Sequence, residues 1–316
     1  MSNQKKPKII AIIGPTSSGK TGWAVSLARQ FNGEIVSADS RQVYHGMDVG
    51  TGKDLVDYEA SDAGPAVPYH LIDVADPSEQ FGLADYQCQA YAAIDDILKR
   101  GKLPIVAGGS GLYLQAVIDG FALPEIKPDE ELRQDLEELP LEELQARLKE
   151  LNPAFFAKIN NSDINNKRRL IRYVELNSQG VLKEPDQNKS EPRYDCLTIG
   201  IEVDKEELDK RIISRLKQRL EEQNLAGEVE GLNNSGISWQ RLEKFGLEYR
   251  WLSRYLQGKI PYEEMEQALG RDIIRFAKRQ LTWFKRWEKQ GRQIHWINNL
   301  NEAKILIEKY LKIPLQ

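Results

Sequence analysis

The chain of 316 residues is 41% hydrophobic and 29% charged, which is typical of a folded protein in water. No apolar run approaches the roughly 20 residues that cross a bilayer, and the first ten residues lack the apolar stretch of a secretory signal, so we expect a cytoplasmic protein without a membrane segment. The net charge of −4 argues against indiscriminate nucleic-acid binding, although basic side chains concentrate in certain stretches and leave RNA binding on one face open.

The first third of the chain alternates short apolar runs with amphipathic stretches. Four predicted strands cover residues 9–13, 34–37, 70–73 and 104–107. Two predicted helices, with apolar residues at helical spacing, cover residues 20–31 and 84–99. Strands that alternate with helices predict a parallel sheet covered on both faces.

The pattern changes after Pro124. From there to about residue 192 the chain is charged, carries leucines at helical spacing and contains no convincing strand. Pro140 and Pro153 stand where helices are expected to begin. This stretch is predicted to be a helical insertion, with residues 180–192 as its polar return loop.

The sheet is expected to resume at residues 196–203. Asp204 is the predicted cap of a long helix in which leucine and isoleucine recur every four residues. Residues 228–238 are predicted to be a loop, and two helices at 263–289 and 301–311 flank a last strand at 293–297. Cys88 and Cys196 are expected to be reduced, buried thiols, and the three histidines show no metal-ligand spacing.

The fold class that follows is α/β, with a P-loop NTPase-like parallel sheet and an all-helical insertion. Residues 1–123 and 195–316 would form the core, which ends in basic helices, and residues 124–194 would form the insertion.

The sharpest motif is GPTSSGKT, which follows the first predicted strand and opens the first predicted helix. Backbone N–H groups in such a loop surround an anionic phosphate, and the helix N-terminus adds its positive dipole end. The lysine meets the outer phosphate and the last hydroxyl binds Mg²⁺. The loop predicted to bind a diphosphate or polyphosphate consists of Gly14, Pro15, Thr16, Ser17, Ser18, Gly19, Lys20 and Thr21.

The motifs beyond this loop resemble those of the tRNA dimethylallyltransferase (isopentenyltransferase) family. DSRQVY begins at Asp39, and a Gly-Gly-Ser-Gly turn surrounds Ser110. NKRRLIR begins at Asn166 in the insertion, and AKRQLTWF begins at Ala277. The resemblance extends over nearly the whole chain in the order usual for the family.

The resemblance implies an enzyme that takes dimethylallyl diphosphate and the tRNA anticodon stem-loop as substrates, and we expect the enzyme to be a monomer. The exocyclic amine of the adenosine 3′ to the anticodon, flipped out of the loop, attacks the allylic carbon, and diphosphate leaves with Mg²⁺. Asp39 matches the general base. Lys20, Thr21 and Arg215 match the groups that stabilise the departing diphosphate, and Thr21 matches the metal ligand.

The same resemblance implies a set of tRNA contacts. Phosphate contacts of this kind position RNA without reading its sequence. The expected contact residues are Asp39, Ser40, Arg41, Gln42, Ser110, Arg133, Lys167, Arg168, Arg169, Arg172, Lys278 and Arg279. The aromatic side chains of Trp283, Phe284 and Trp287 lie between basic residues, and core packing is favoured for them over base stacking.

The chain departs from the family at four places. Glu248-Tyr249 stands where the family commonly has Gly-Tyr, and Ile273-Ile274 where it has Thr-Arg. Gly52-Lys53-Asp54 replaces the usual Ala-Lys-Pro. Ser110 also replaces a threonine, which preserves the hydroxyl. The first three changes leave the details of diphosphate binding and tRNA docking open.

Three other functions share some of these features. A P-loop kinase of a nucleoside or small metabolite would use the same loop and Mg²⁺ to bind ATP. A prenyltransferase of free adenine nucleotides would not need a large insertion with a cluster of basic residues. A catalytically silent RNA-binding relative would have no use for Lys20, Thr21 and Asp39 together.

Overall fold

The computed structural model describes residues 5–123, 129–180 and 191–312. Two compact units are present: Met1–Ile118 together with Pro192–Gln316, and Asp119–Glu191. The second unit covers most of the predicted insertion at 124–194. Part of the predicted return loop, residues 181–190, lies outside the described residues.

The first unit is built on a parallel sheet of six strands. The strands are β1 (Lys8–Ile13), β2 (Gly33–Ser37), β3 (Tyr69–His70), β4 (Leu103–Gly108), β5 (Asp195–Ile201) and β6 (His295–Ile297). Their order across the sheet is β3-β2-β4-β1-β5-β6, and every pair of neighbours runs parallel. The predicted parallel sheet is confirmed, and each strand agrees with its predicted position to within a few residues.

Fourteen α-helices surround or follow these strands in the described chain. In chain order they are α1 (Lys20–Gln30), α2 (Leu83–Lys99), α3 (Gly111–Gln115), α4 (Glu130–Glu138), α5 (Leu141–Leu151), α6 (Pro153–Lys158), α7 (Asn161–Ile164), α8 (Lys167–Ser178), α9 (Lys205–Glu221), α10 (Leu225–Asn234), α11 (Trp239–Phe245), α12 (Leu247–Leu256), α13 (Tyr262–Lys289) and α14 (Leu300–Leu311). None of them combines the length and apolar composition that a membrane crossing requires.

The sheet is buried on both faces because successive side chains of a strand point to opposite sides. In β1, Ile9, Ala11 and Ile13 belong to one apolar cluster, whereas Ile10 and Ile12 belong to the other. Helices α1 and α14 cover the second face. All five of these side chains have no solvent exposure, so β1 fixes the centre of the unit and the position of the loop that follows it.

The second unit is helical and consists of α4 to α8. Leu136, Leu144, Phe155 and Leu170 are fully or almost fully buried in its apolar core. Helices α5 and α6 begin at or next to Pro140 and Pro153, as predicted. Proline at a helix start loses no hydrogen bond, because the first N–H groups of a helix have no partner within it.

Two local predictions are wrong. Residues 225–234 form α10 instead of a loop, because Asn224 caps the helix and Leu225, Val229 and Leu232 bury one face of it. The glycine and asparagine content of this segment hid that spacing. Cys88 is exposed on α2 and Cys196 is partly exposed, so neither is the buried thiol that was expected.

Candidate active site

A cavity of about 360 Å³ opens at the carboxyl edge of the sheet. Its walls come from the loops that follow β1, β2 and β4, which are adjacent strands, and from helices α9, α12 and α13. Ligands of open parallel sheets commonly bind outside the carboxyl ends of the strands. All the residues that line this cavity belong to the first unit.

The loop Gly14–Thr21 forms one side of the cavity. It turns sharply after β1, with left-handed φ values of 61° at Ser17 and 86° at Gly19, and it ends where α1 begins at Lys20. Thr16, Lys20 and Thr21 line the cavity. The free N–H groups at the start of α1 therefore face a space in which an anion would be stabilised.

The Lys20 ammonium is held over this loop and donates a hydrogen bond to the carbonyl oxygen of Pro15 at 3.0 Å. Burial lowers the pKa of Lys20 to about 8, an effect that the charge of Asp39 partly opposes and the charge of Arg215 reinforces. A desolvated ammonium of this kind is still mostly charged at neutral pH. It gains strongly from an anionic ligand, which would replace its lost hydration.

Asp39 follows β2 and lines the cavity from the adjacent strand. Its Oδ1 accepts a hydrogen bond from the backbone N–H of Arg41 at 3.0 Å, which fixes the carboxylate at the start of the turn. The backbone N–H of Ser40 donates to Ser110 Oγ at 3.0 Å. A Cβ at Gly108 would overlap the backbone of Ala38, so glycine at this position lets the two loops lie against each other.

The predicted tRNA contacts nearest to Asp39, the predicted general base, are thereby brought together. Gln42 lines the cavity and donates from Nε2 to the carbonyl oxygen of Gly52 at 3.0 Å. The residues of the predicted tRNA set that line the cavity are Asp39, Ser40, Arg41, Gln42, Ser110 and Arg279. Lys278 is exposed on α13 and lies outside the lining.

Arginines on α9 supply further positive charge. Arg215 lines the cavity and forms an ion pair with Asp54. Arg219, one turn later, also lines it and pairs with Glu248 at 3.6 Å. Glu248 reaches Arg41 at 3.4 Å as well. Of the described residues that line the cavity, five are cationic and two are carboxylates, so the site favours an anionic ligand.

Apolar side chains form the remaining wall. Phe276 and Trp283 on α13 line the cavity together with Leu112. The guanidinium carbons of Arg41 and Arg279 lie 5.4 and 5.8 Å from the centre of the Phe276 ring, in cation–π contact. An apolar wall beside a cationic end is what an amphipathic diphosphate ester or a flipped base requires.

The aromatic residues of α13 divide between two environments. Phe284 and Trp287 are almost fully buried, as the prediction of core packing requires. Trp283, in contrast, is only partly buried and lines the cavity. A Cβ at Gly111 would overlap its indole ring, so glycine at this position leaves room for Trp283 in the cavity wall.

Comparison with known proteins agrees with this geometry. Residues 42–287 match the family described as IPP transferase, and residues 7–59 match the one described as isopentenyl transferase. A relative from Syntrophus aciditrophicus (strain SB), tRNA dimethylallyltransferase 1, is 45% identical over 289 residues, which cover 92% of this chain and 93% of the relative. The chain belongs to the tRNA dimethylallyltransferase family.

Solved structures of the family share the architecture. The full-length tRNA isopentenylpyrophosphate transferase from Bacillus halodurans is 35% identical, has a TM-score of 0.67, and the match covers 97% of this chain and 96% of that one. A eukaryotic dimethylallyltransferase acting on tRNA has a TM-score of 0.76 at 23% identity, with 98% of this chain and 81% of that one covered. The second likeness concerns the fold alone.

The basic residues predicted in the insertion lie within the second unit. Arg133 and Arg172 both pair with the buried carboxylate of Glu175, an arrangement that stabilises the unit without RNA. Arg169 pairs with Asp163. Lys167 donates to the carbonyl oxygen of Glu137 at 2.6 Å, and Arg168 is exposed.

Three side chains of the site were not assigned a role from the sequence. Gln280 belongs to the AKRQ motif, and the structure shows that it is buried and lines the cavity. Arg219 follows Arg215 by four residues on one helix face, a spacing that the sequence displays. Glu248 is a departure from the family in the sequence, but its ion pairs join segments about 30 and 200 residues away in the chain, which no local pattern reveals.

Proposed function

We propose that this protein transfers the dimethylallyl group of dimethylallyl diphosphate to the N6 amine of the adenosine 3′ to the anticodon in tRNA. The observation that carries the proposal is the convergence of Lys20, Thr21, Arg215 and Asp39 on one cavity. The cationic groups suit a diphosphate, and the carboxylate suits an amine that must lose a proton. Membership of the tRNA dimethylallyltransferase family supports the same reaction.

In the proposed reaction the N6 nitrogen attacks C1 of the donor. The C1–O bond breaks as the N–C1 bond forms, and its electron pair leaves with the diphosphate. Asp39 accepts the proton that the amine loses, which keeps the product neutral at nitrogen. The Arg41 N–H that holds Oδ1 of Asp39 leaves its second carboxylate oxygen for this task.

The departing diphosphate gains negative charge as the bond breaks. Lys20 and Arg215 line the cavity and stabilise that charge, together with the N–H groups at the start of α1. Donors that are already in place stabilise a transition state without reorganisation, and one such donor contributes about 10²–10³ in rate. The apolar wall formed by Phe276 and Trp283 excludes water from the allylic carbon, which prevents hydrolysis of the donor.

Magnesium fits this site through Thr21. No group of three or more His, Cys, Asp or Glu side chains within the described ranges is arranged to hold a metal, but Mg²⁺ bound to phosphates usually takes only one or two protein ligands and completes its shell with phosphate oxygens and water. The Thr21 hydroxyl would hold the ion, which would neutralise part of the diphosphate charge.

The test uses purified protein, Mg²⁺, dimethylallyl diphosphate and an anticodon stem-loop with adenosines 3′ to the anticodon. Mass spectrometry of the RNA is expected to show addition of one prenyl unit, and nuclease mapping is expected to place it on the first of these adenosines. An RNA that is bound but unmodified would refute the proposal and favour a silent RNA-binding protein. Neither binding nor transfer, with ATP-dependent phosphorylation of a small metabolite, would favour a kinase.

A further inference from the structure

Helix α9 presents two arginines to the cavity, and the resemblance to the family assigns a role to the first alone. Arg215 and Arg219 are four residues apart, so they lie on the same helix face one turn from each other. Both line the cavity that contains Lys20 and Thr21. Arg219 is only 8% exposed, so its guanidinium has lost most of its hydration.

The two guanidinium groups converge on Gly52. A Cβ built at Gly52 would overlap Nη2 of Arg219 and lie 2.8 Å from Nη2 of Arg215. Gly52 also has a left-handed φ of 63°, which side chains rarely adopt. Glycine, where the family commonly has alanine, therefore makes room for both arginines.

The carboxylates beside these arginines also stand at positions where this chain departs from the family. Asp54, in place of the usual proline, pairs with Arg215. Glu248, in place of the usual glycine, pairs with Arg219 at 3.6 Å, and its side chain is only 6% exposed. Burial lowers the pKa of Arg219, and the charge of Arg215 lowers it further. Two adjacent cations, one of them buried, require anions nearby, and these carboxylates supply them.

We propose that Arg219 is a second diphosphate-binding arginine of this chain, acting beside Arg215. Asp54 and Glu248 hold the pair in position when the donor is absent. A diphosphate has two phosphoryl groups, and each presents oxygens to a guanidinium in the planar geometry that arginine matches well. The inference rests on the proposed donor, because it requires a diphosphate in the cavity.

Binding of inorganic pyrophosphate in the presence of Mg²⁺, measured by calorimetry, tests the proposal without turnover. Arg219→Met keeps the length of the side chain and removes its charge. We expect the variant to bind pyrophosphate about tenfold more weakly and to raise the KM for dimethylallyl diphosphate similarly, with tRNA affinity unchanged. Lys217→Met, on the exposed side of the same helix, is the matched control and is expected to have no effect.

The outcomes separate the inference from the proposed function. A wild-type protein that does not bind pyrophosphate would overturn both. Normal pyrophosphate binding by folded Arg219→Met would overturn the inference alone. Loss of tRNA affinity with normal pyrophosphate binding would do the same, since it would assign Arg219 to an RNA phosphate.

Arg219→Met also leaves Glu248 with one cationic partner fewer, which could disturb the fold. The double variant Arg219→Met/Glu248→Gln removes that unpaired charge. Pyrophosphate binding is expected to stay weak in the double variant. Recovery to the wild-type affinity would overturn the proposal, because it would show that Arg219 only neutralises Glu248.

Gly52→Ala gives an independent test of the same contact. The added methyl group displaces the Arg219 guanidinium, so pyrophosphate binding is expected to weaken in the otherwise wild-type chain. In the Arg219→Met background the same change is expected to cost less, because the Arg219 group is already absent and only the backbone strain at Gly52 and the contact with Arg215 remain. If the affinity losses of Gly52→Ala and Arg219→Met simply multiply in the combined variant, the proposal is overturned, because the free energies of independent sites add.

Discussion

Gln280 accepts a hydrogen bond of 2.8 Å from the backbone N–H of Thr16 through its side-chain oxygen. The amide nitrogen of the same side chain donates to the carbonyl oxygen of Gly109 at 2.9 Å. Gln280 is 6% exposed and thus joins the loop after β1 to the loop after β4 from within α13. Its bond to Thr16 also occupies an N–H group of the loop Gly14–Thr21, so the side chain helps to fix which N–H groups of the loop remain unpaired.

We expect Gln280→Glu to lower kcat/KM for dimethylallyl diphosphate about a hundredfold. The carboxylate keeps the acceptor for Thr16, but it lacks a donor for Gly109 and places a negative charge in the wall of an anion site. Steady-state kinetics at saturating RNA measure the effect. Lys289→Gln, at an exposed position of the same helix, changes the net charge by the same amount and is the control; equal losses in the two variants would argue against a specific role of Gln280.

Asp39→Asn is expected to lower the single-turnover rate of prenyl transfer by about 10²–10⁴. The amide oxygen still accepts the hydrogen bond from the Arg41 N–H that Asp39 now accepts at 3.0 Å, so the turn is preserved, but the amide cannot take a proton. The tRNA dissociation constant, measured by filter binding, should remain within about twofold of wild type. Near-normal transfer would show that another group is the base.

The sheet and the position of the site followed from the sequence because their signals are local. The run from Ile9 to Ile13 is apolar throughout, which is typical of a strand buried on both faces. The GPTSSGKT loop then places the candidate anion site at the end of β1. Since the carboxyl ends of adjacent parallel strands meet at one edge of the sheet, the placement of Asp39 beside Lys20 needed only the correct assignment of β2.

The contacts made by helices α9 to α13 could not be predicted in the same way. Glu248, Arg219 and Arg41 come from three distant segments, and their pairing depends on how α9 and α12 pack. The sequence predicts a loop at residues 228–238 because asparagine and glycine obscure the apolar spacing of α10. Local composition describes the chain one segment at a time, whereas these contacts depend on tertiary packing.

The value of kcat/KM for dimethylallyl diphosphate is expected to fall as the pH rises through about 8. Burial lowers the pKa of Lys20 to about 8, so the ammonium is present below this pH and is lost above it. Because kcat/KM reports the free enzyme, its value for dimethylallyl diphosphate should drop about tenfold per unit well above pH 8. Lys20→Arg keeps its charge throughout this range and should show no such drop; the same midpoint in that variant would assign the titration to another group.

The insertion is expected to contribute to tRNA binding through its basic side chains. Lys167→Ala/Arg168→Ala should weaken tRNA affinity about tenfold and reduce the slope of log K against log salt by about 1.5, as the loss of two phosphate contacts predicts. Titrations at several salt concentrations measure both. Arg147→Ala/Lys149→Ala removes the same charge from exposed positions of α5, and an equal effect there would indicate a nonspecific change of net charge.

Glu228 on α10 is expected to stabilise the segment that leads to Gly52. Its carboxylate accepts hydrogen bonds from the backbone N–H groups of Asp48, Val49 and Gly50 at 2.8, 2.6 and 3.0 Å. The hydroxyl of the buried Tyr249 donates to it at 2.7 Å. Removing the carboxylate leaves these donors without their acceptor, so Glu228→Ala should lower the free energy of unfolding by about 3 kcal/mol.

Tyr249→Phe removes one of these four donors and should cost about 1 kcal/mol in the wild-type chain. In the Glu228→Ala background the same change should cost less, because the hydroxyl has already lost its acceptor and its removal then relieves a buried unpaired group. Urea denaturation of the four proteins measures both values. Glu230→Ala, exposed on the same helix, should leave the midpoint unchanged. An equal cost of Tyr249→Phe in both backgrounds would mean that the hydrogen bond between Tyr249 and Glu228 contributes no stability of its own.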